Sequence, residues 1–150
     1  MSGIFFSSVL TREYSDHLES LMFFNPQQGI RWSGIVESIE KFGNPKLVAE
    51  GEHIRIKTET LENVQALFAF DRKDKNMRLV GVVVYFRADA ETIIILHVAV
   101  EDDYSMNGPF SDEMLAMKLI AKVREIGRQI KGVKQLTIFY EKGLERNIPV

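Results

Sequence analysis

Few side chains in this sequence could move a proton near neutral pH, and their surroundings decide which chemistry is open to it. The three His stand at positions 17, 53 and 97. His97 is the one titratable residue in an otherwise apolar run, Thr92–Val100. An imidazole there is suited to taking a proton from a bound substrate, although a packed, hydrogen-bonded histidine fits the same pattern. Tyr140, Tyr85 and Tyr104 are the candidate proton donors. A ring at a strand end equally serves as packing with a wet hydroxyl. His17 falls on a helix and His53 on a solvated strand face, so the three are too scattered for metal-ligand spacing. With no Cys in the chain, thiol catalysis, Cys-ligated metal centres and disulfide frameworks are excluded. The Gly-x-Ser-x-Gly, P-loop and Gly-x-Gly-x-x-Gly fingerprints are absent as well.

The elements that must hold these residues belong to one domain, 1–150. The chain has 150 residues, 45% apolar and 27% charged, enough for a core without staples. Its 19 basic and 21 acidic residues give a net charge of −2, which argues against a nucleic-acid binder. The longest apolar strand run, Thr92–Val100, is far short of a membrane span. The N-terminus shows neither the basic start nor the apolar stretch of a signal peptide. The expectation is a cytoplasmic domain with no membrane partner.

Hydrophobic spacing orders the elements. Tyr14, Leu18, Leu21 and Met22 recur at helical spacing until Asn25-Pro26 stops them. A second set, Trp32, Ile35, Val36, Ile39 and Phe42, ends at Gly43 with Pro45 beyond. Ile4-Phe5-Phe6 reads either as a short strand or as a tail. From Lys46 the period becomes two: Leu47–Glu50 and His53–Thr58 flank Gly51 as a hairpin, with Ile54 and Ile56 on one face. Asn63–Phe70, Arg78–Arg87 and Thr92–Val100 continue the strands, and the last two are apolar on both faces, hence central. After the loop 101–110, Ser111 is a plausible N-cap, with Asp112 and Glu113 in the first turn. Leu115, Leu119, Val123, Ile126 and Ile130 form the buried stripe of a helix ending near Gly132. Val133–Tyr140 is read as the final strand, parallel to Thr92–Val100. The fold class is α+β with a mixed sheet: two N-terminal helices, an antiparallel meander, a long helix and a final parallel strand.

That order, together with "LVGVVVYFRADAETIIILHVAVEDDY" (79–104), resembles the GNAT superfamily of acyl-CoA-dependent N-acyltransferases across roughly Gln65 to Tyr140. In that family a strand-terminal Val leads through an aromatic residue to Arg/Gln-x-x-Gly-x-Gly/Ala, a pyrophosphate loop opening the long helix. Val100 matches the Val, Tyr104 the aromatic residue and Gly108 the first Gly. Ser105 stands in place of Arg or Gln, and Phe110 in place of the second small residue. Such a loop wraps an anion in backbone N–H groups, so bulk is excluded. Pro109 has no N–H, and Glu101, Asp102 and Asp103 add negative charge. Phe139-Tyr140-Glu141-Lys142-Gly143 is similar to a family segment whose Tyr serves as general acid.

The resemblance implies transfer of an acetyl group from acetyl-CoA to an amine acceptor. His97 would take the amine proton, backbone N–H groups near Val98 and Val100 would hold the oxyanion, and Tyr140 would protonate the thiolate. Val98, Val100, Tyr104, Ser105, Gly108 and Phe110 would line the cofactor site. No metal is implied. The alternative is a GNAT-like module that does not bind CoA and acts in binding or self-association. Val133–Tyr140 as an uncovered edge strand would suit a homo-oligomer. The two readings diverge at Glu101–Ser111, which either presents N–H groups to an anion or is closed by Phe110.

Overall fold

The computed structural model describes residues 3–23, 45–61, 63–72, 77–104, 108–111, 114–141 and 144–150, with backbone alone for 139–141 and 144–146. The chain opens with β1 (Ile4–Ser7) and a 3-10 turn (Arg12–Tyr14) that runs into α1 (Ser15–Phe23). Strands β2 (Pro45–Glu50), β3 (His53–Thr58), β4 (Gln65–Asp71), β5 (Arg78–Arg87) and β6 (Thr92–Val100) follow. A second 3-10 turn (Asp102–Tyr104), α2 (Leu115–Gln129), β7 (Gln135–Glu141) and β8 (Leu144–Pro149) complete it.

Six strands form one sheet in the order β1-β4-β5-β6-β7-β8, and β2 with β3 makes a separate hairpin. Among the described residues only β6 and β7 pair in parallel; the other neighbours in the sheet run antiparallel. The central place of β5 and β6 follows from their composition. Val82, Val84 and Phe86 point into one core with α1 and the hairpin residues Ile54 and Ile56. Val83, Ile93 and Ile95 point into a second core against Leu115, Leu119 and Val123 of α2. Side chains alternate across a strand, so a strand with a helix layer on each face must be apolar on both. Leu119 is fully buried, a contribution of about 1.5–3 kcal/mol. It lies so close to β5 that a Cβ on Gly81 would stand 3.0 Å from Leu119 Cδ1.

Several expectations change here. Ile4-Phe5-Phe6 is an edge strand, paired from Ile4↔Asp71 to Ser7↔Phe68. The second helix, Trp32 to Phe42, lies outside the described residues. Ser111 does not cap the long helix: the cap is Met114, in the left-handed region at φ 50°, and Asp112 and Glu113 are outside the described residues. Val133–Tyr140 is not the final strand. After β7, β8 turns back antiparallel, in register from Gln135↔Pro149 to Glu141↔Leu144. The β7 edge proposed for self-association is therefore covered by the chain's own backbone.

Candidate functional site

The geometry of interest begins where β6 and β7 stop pairing. Their parallel ladder has four pairs, from Thr92↔Gln135 to Ile95↔Ile138. Beyond Ile95 the β6 strand runs on to Val100 against β5 alone. At that point β6 is also irregular: Tyr85 pairs with Ile95 and Val84 with His97, so Leu96 is an extra residue between them. A bulge of this kind bends a strand and re-aims the side chains after it. The sheet thus opens within the parallel pair β6–β7, after Ile95.

Past the bulge the two faces of β6 carry different residues. Val98 and Val100 belong to the core beneath α2, and Ala99 to the core beneath α1. His97 sits opposite Val84, a residue of the α1 core, so its side chain is on that face with Ala99. The ring is half-buried and its Nε2 atom is enclosed by protein. The backbone can be oriented too. Glu101 N–H donates to Val80 O on β5, and alternate residues of an extended strand point their N–H the same way. The N–H groups of Val98 and Val100 accordingly point away from β5, toward the opening. On α2, Lys122 lies over the Phe6 ring of β1, 5.5 Å from its centroid. At about 100° per residue, Ala116 and Ile120 fall on the opposite flank, and both are partly buried against the same core.

The segment that would meet a pyrophosphate has another arrangement. Tyr104 is buried, and its hydroxyl donates to Asp71 Oδ2, itself buried at the end of β4. Its ring packs on Phe110, with centroids 5.2 Å apart. Phe110 N–H donates to Asp103 O at 2.8 Å, Ser111 N–H to Gly108 O at 3.2 Å, and Met114 N–H to Ser111 O at 3.1 Å. Gly108 is pressed onto the preceding turn, where a Cβ would meet the Asp102 and Asp103 carbonyl oxygens at under 3.0 Å. Its small size serves the packing of the loop on itself. Ser105 lies outside the described residues. The acidic residues are partnered: Arg78 is 3.3 Å from Asp103 Oδ2 and 3.8 Å from Glu101 Oε2. His17 Nε2 lies 2.6 Å from Glu101 Oε1 and 2.9 Å from Leu79 O, tying α1 to the ends of β5 and β6.

The opening therefore brings His97, Val98 and Val100 together by their places on β6. Tyr140 follows two residues after Ile138, the last ladder residue on β7; its side chain is outside the described residues. Tyr104, Gly108 and Phe110 form a separate clasp at the base of α2. Tyr85 lies on the α2 face beside Ile95, and burial raises the pKa of its hydroxyl. No group of three or more metal-ligating side chains exists among the described residues, and no helix among them is long and apolar enough to cross a membrane. Sequence reading missed Asp71 and Arg78 because nothing in a linear pattern joins them to a loop some 25 to 33 positions away.

Neither a known protein family nor a curated protein sequence matches the chain. Among solved structures, an acetyltransferase from Streptococcus agalactiae 2603 superposes with a TM-score of 0.52 at 15% identity, over 92% of this chain and 73% of that one. A putative streptothricin acetyltransferase from Bacillus anthracis str. Ames, solved in complex with acetyl coenzyme A, gives a TM-score of 0.40 at 11% identity, over 68% of this chain and 69% of that one. The first likeness shows that the chain shares the fold of that acetyltransferase.

Proposed function

We propose that the protein transfers an acyl group, with acetyl the simplest case, from a CoA thioester to an amine. The observation that carries this reading is the opening of the β6–β7 pair after Ile95, next to the bulge at Leu96. A thioester laid there would meet backbone donors on β6. The N–H of Val98 would hold the carbonyl oxygen as it becomes an oxyanion, and that of Val100, two residues on and so about 6–7 Å away, would face the pantetheine portion instead. The amine nitrogen attacks the thioester carbon, and its proton passes to His97. The C–S bond then breaks, and the thiolate takes a proton from Tyr140. Ala116 and Ile120 would border the acyl and pantetheine portion. Tyr104, Ser105, Gly108 and Phe110, first assigned to the phosphates, are not used here, because Tyr104, Gly108 and Phe110 hold one another.

A second reading has its own support. The Phe110 N–H on Asp103 O and the Tyr104–Phe110 stack close the segment an anion would enter. This favours a GNAT-like binding module that does not take CoA. Calorimetric titration with acetyl-CoA separates the two. Micromolar to millimolar binding, with transfer to an amine panel that is lost in His97→Gln while binding persists, supports the transferase. Absence of heat at millimolar acetyl-CoA leaves the binding module.

A further inference from the structure

Arg124 is half-buried on α2, and its Nε–H is enclosed by protein without a hydrogen-bond acceptor. An enclosed donor on a charged group is costly to leave unsatisfied, and in native structures a ligand, ion or water commonly completes it. The place of this residue follows from the packing of α2. Toward the start of the helix, a Cβ on Gly81 would stand 3.0 Å from Leu119 Cδ1 and 3.3 Å from Leu115 Cδ2, and Gly81 pairs with Val100. Toward its end, a Cβ on Gly127 would stand 3.4 Å from Ile93 Cδ1 and 3.2 Å from Val150 Cγ1. The helix therefore runs over β6 from Val100 back to Ile93, and Arg124 falls level with Ile95, where the ladder to β7 ends. At about 100° per residue, Arg124 lies on the flank of Ile120 and Gly127, toward β7 and β8. Glu125, the one acidic residue of α2, is on the other flank, 3.7 Å from Lys122 Nζ.

We propose that Arg124 binds a carboxylate at the far end of the acyl group, so that the preferred donor is a dicarboxylic acyl thioester such as a succinyl thioester. The inference rests on acyl transfer at the β6–β7 opening and specifies the group transferred there. The opening is closed at Ile95 and widens toward Val100, so a thioester enters with its acyl end leading. With the thioester oxygen on the Val98 N–H and the pantetheine toward Val100, the acyl chain runs toward Ile95 and Arg124. Val98 and Ile95 are about 10 Å apart along the strand, a span that a four-carbon diacid and the long arginine side chain cover between them. Ile95, Ile120 and Ile138 belong to the one core, which suits a chain that is apolar in its middle and charged only at its tip. A guanidinium presents paired donors to a carboxylate, and the Nε–H is one of them. The transfer is otherwise unaltered. The amine nitrogen bonds to the acyl carbon, the C–S bond breaks, and the distal carboxylate exchanges no proton.

The test compares succinyl-CoA, butyryl-CoA and acetyl-CoA by calorimetric titration and by transfer to an amine panel. Succinyl and butyryl chains have equal length and differ in the terminal charge. The wild-type protein is expected to favour succinyl-CoA over butyryl-CoA by about ten- to a hundredfold in Kd and in kcat/KM, the order of one charge-assisted hydrogen bond. Arg124→Met keeps an aliphatic stem and should bring both ratios to about one, with the loss falling on succinyl-CoA. Its ligand-free unfolding midpoint should match or exceed that of the wild type, because the change removes an unsatisfied donor and no bond. Arg124→Lys keeps the charge without the planar fork and should retain part of the preference. Equal handling of succinyl-CoA and butyryl-CoA by the wild type overturns the proposal and leaves acyl transfer standing. A preference that survives in Arg124→Met does the same. If none of the three thioesters binds at millimolar concentration, the proposal falls together with acyl transfer.

Discussion

Replacing Gly108 with alanine distinguishes a glycine kept for a ligand from one kept for the loop. In the structure a Cβ at this position runs into the carbonyl oxygens of Asp102 and Asp103. Those atoms are main chain, in a 3-10 turn whose Tyr104 is anchored on Asp71. They cannot swing aside as a side-chain tip would. Relief requires the turn to move as a body, which strains the Phe110 N–H bond to Asp103 O and the stack of the two rings. Overpacking of this type costs about 1–3 kcal/mol. For a chain of this size each 1 kcal/mol lowers the melting temperature by roughly 2–4 °C. Urea unfolding of the ligand-free Gly108→Ala protein should show a lower midpoint with an unchanged m-value. If the midpoint stays at the wild-type value and only acetyl-CoA binding is lost, Gly108 serves an anion, and the clasp interpretation is refuted.

Two further substitutions probe the same framework. Tyr104→Phe removes a donor from the buried Asp71 carboxylate and should destabilise by about 1–3 kcal/mol; an unfolding midpoint equal to wild type would show that the bond contributes nothing net. Tyr85 is held neutral by burial, its pKa above the usual tyrosine value of 10.0. The neutral form is thus favoured in the folded state, and the associated stability is complete below the unfolded pKa and lost as pH rises through the folded one. Unfolding midpoints should therefore fall above about pH 10, and less steeply in Tyr85→Phe; identical slopes in the two proteins would remove Tyr85 as the cause.

Much of the fold was legible because its signals are local. Arg78–Arg87, Thr92–Val100 and His53–Thr58 have in the structure the bounds that their apolar runs predict, and the crossover through one long helix implies the parallel pair. β8 escaped notice for a physical reason. Leu144–Pro149 carries only two strongly apolar residues, Leu144 and Ile148, as an edge strand facing water may. It is held by backbone pairing and by the Thr137 hydroxyl donating to Asn147 Oδ1 at 2.7 Å. The helix start was misplaced because Ser111 has the chemistry of a cap, but Ser111 N–H closes a turn on Gly108 O and Met114 takes the cap position instead. For the candidate site, the place of His97 on β6 was readable. Its face was not, because the extra residue Leu96 reverses the alternation and a bulge leaves no mark in an apolar run.

The loop before α2 shows how one Gly can answer to two different constraints. A phosphate cradle requires a small residue so that an anion can approach bare N–H groups. Here the same smallness lets the Asp102 and Asp103 carbonyl oxygens approach instead, and Phe110 N–H turns inward to meet one of them. The neighbouring residues agree with that arrangement. Pro109 has no N–H to offer, Phe110 fills space against Tyr104, and the acidic Glu101 and Asp103 face Arg78. An acidic run would repel a phosphate, yet it is consistent with a loop that draws a cation and a tyrosine hydroxyl onto the ends of β4 and β5. The β6–β7 opening, by contrast, depends on no residue of the clasp, since it arises from a bulge and a short ladder. Changes in the clasp should thus alter stability first, and changes at His97 should alter chemistry first. A loss of acetyl transfer in Tyr104→Phe without any loss of stability would contradict that division.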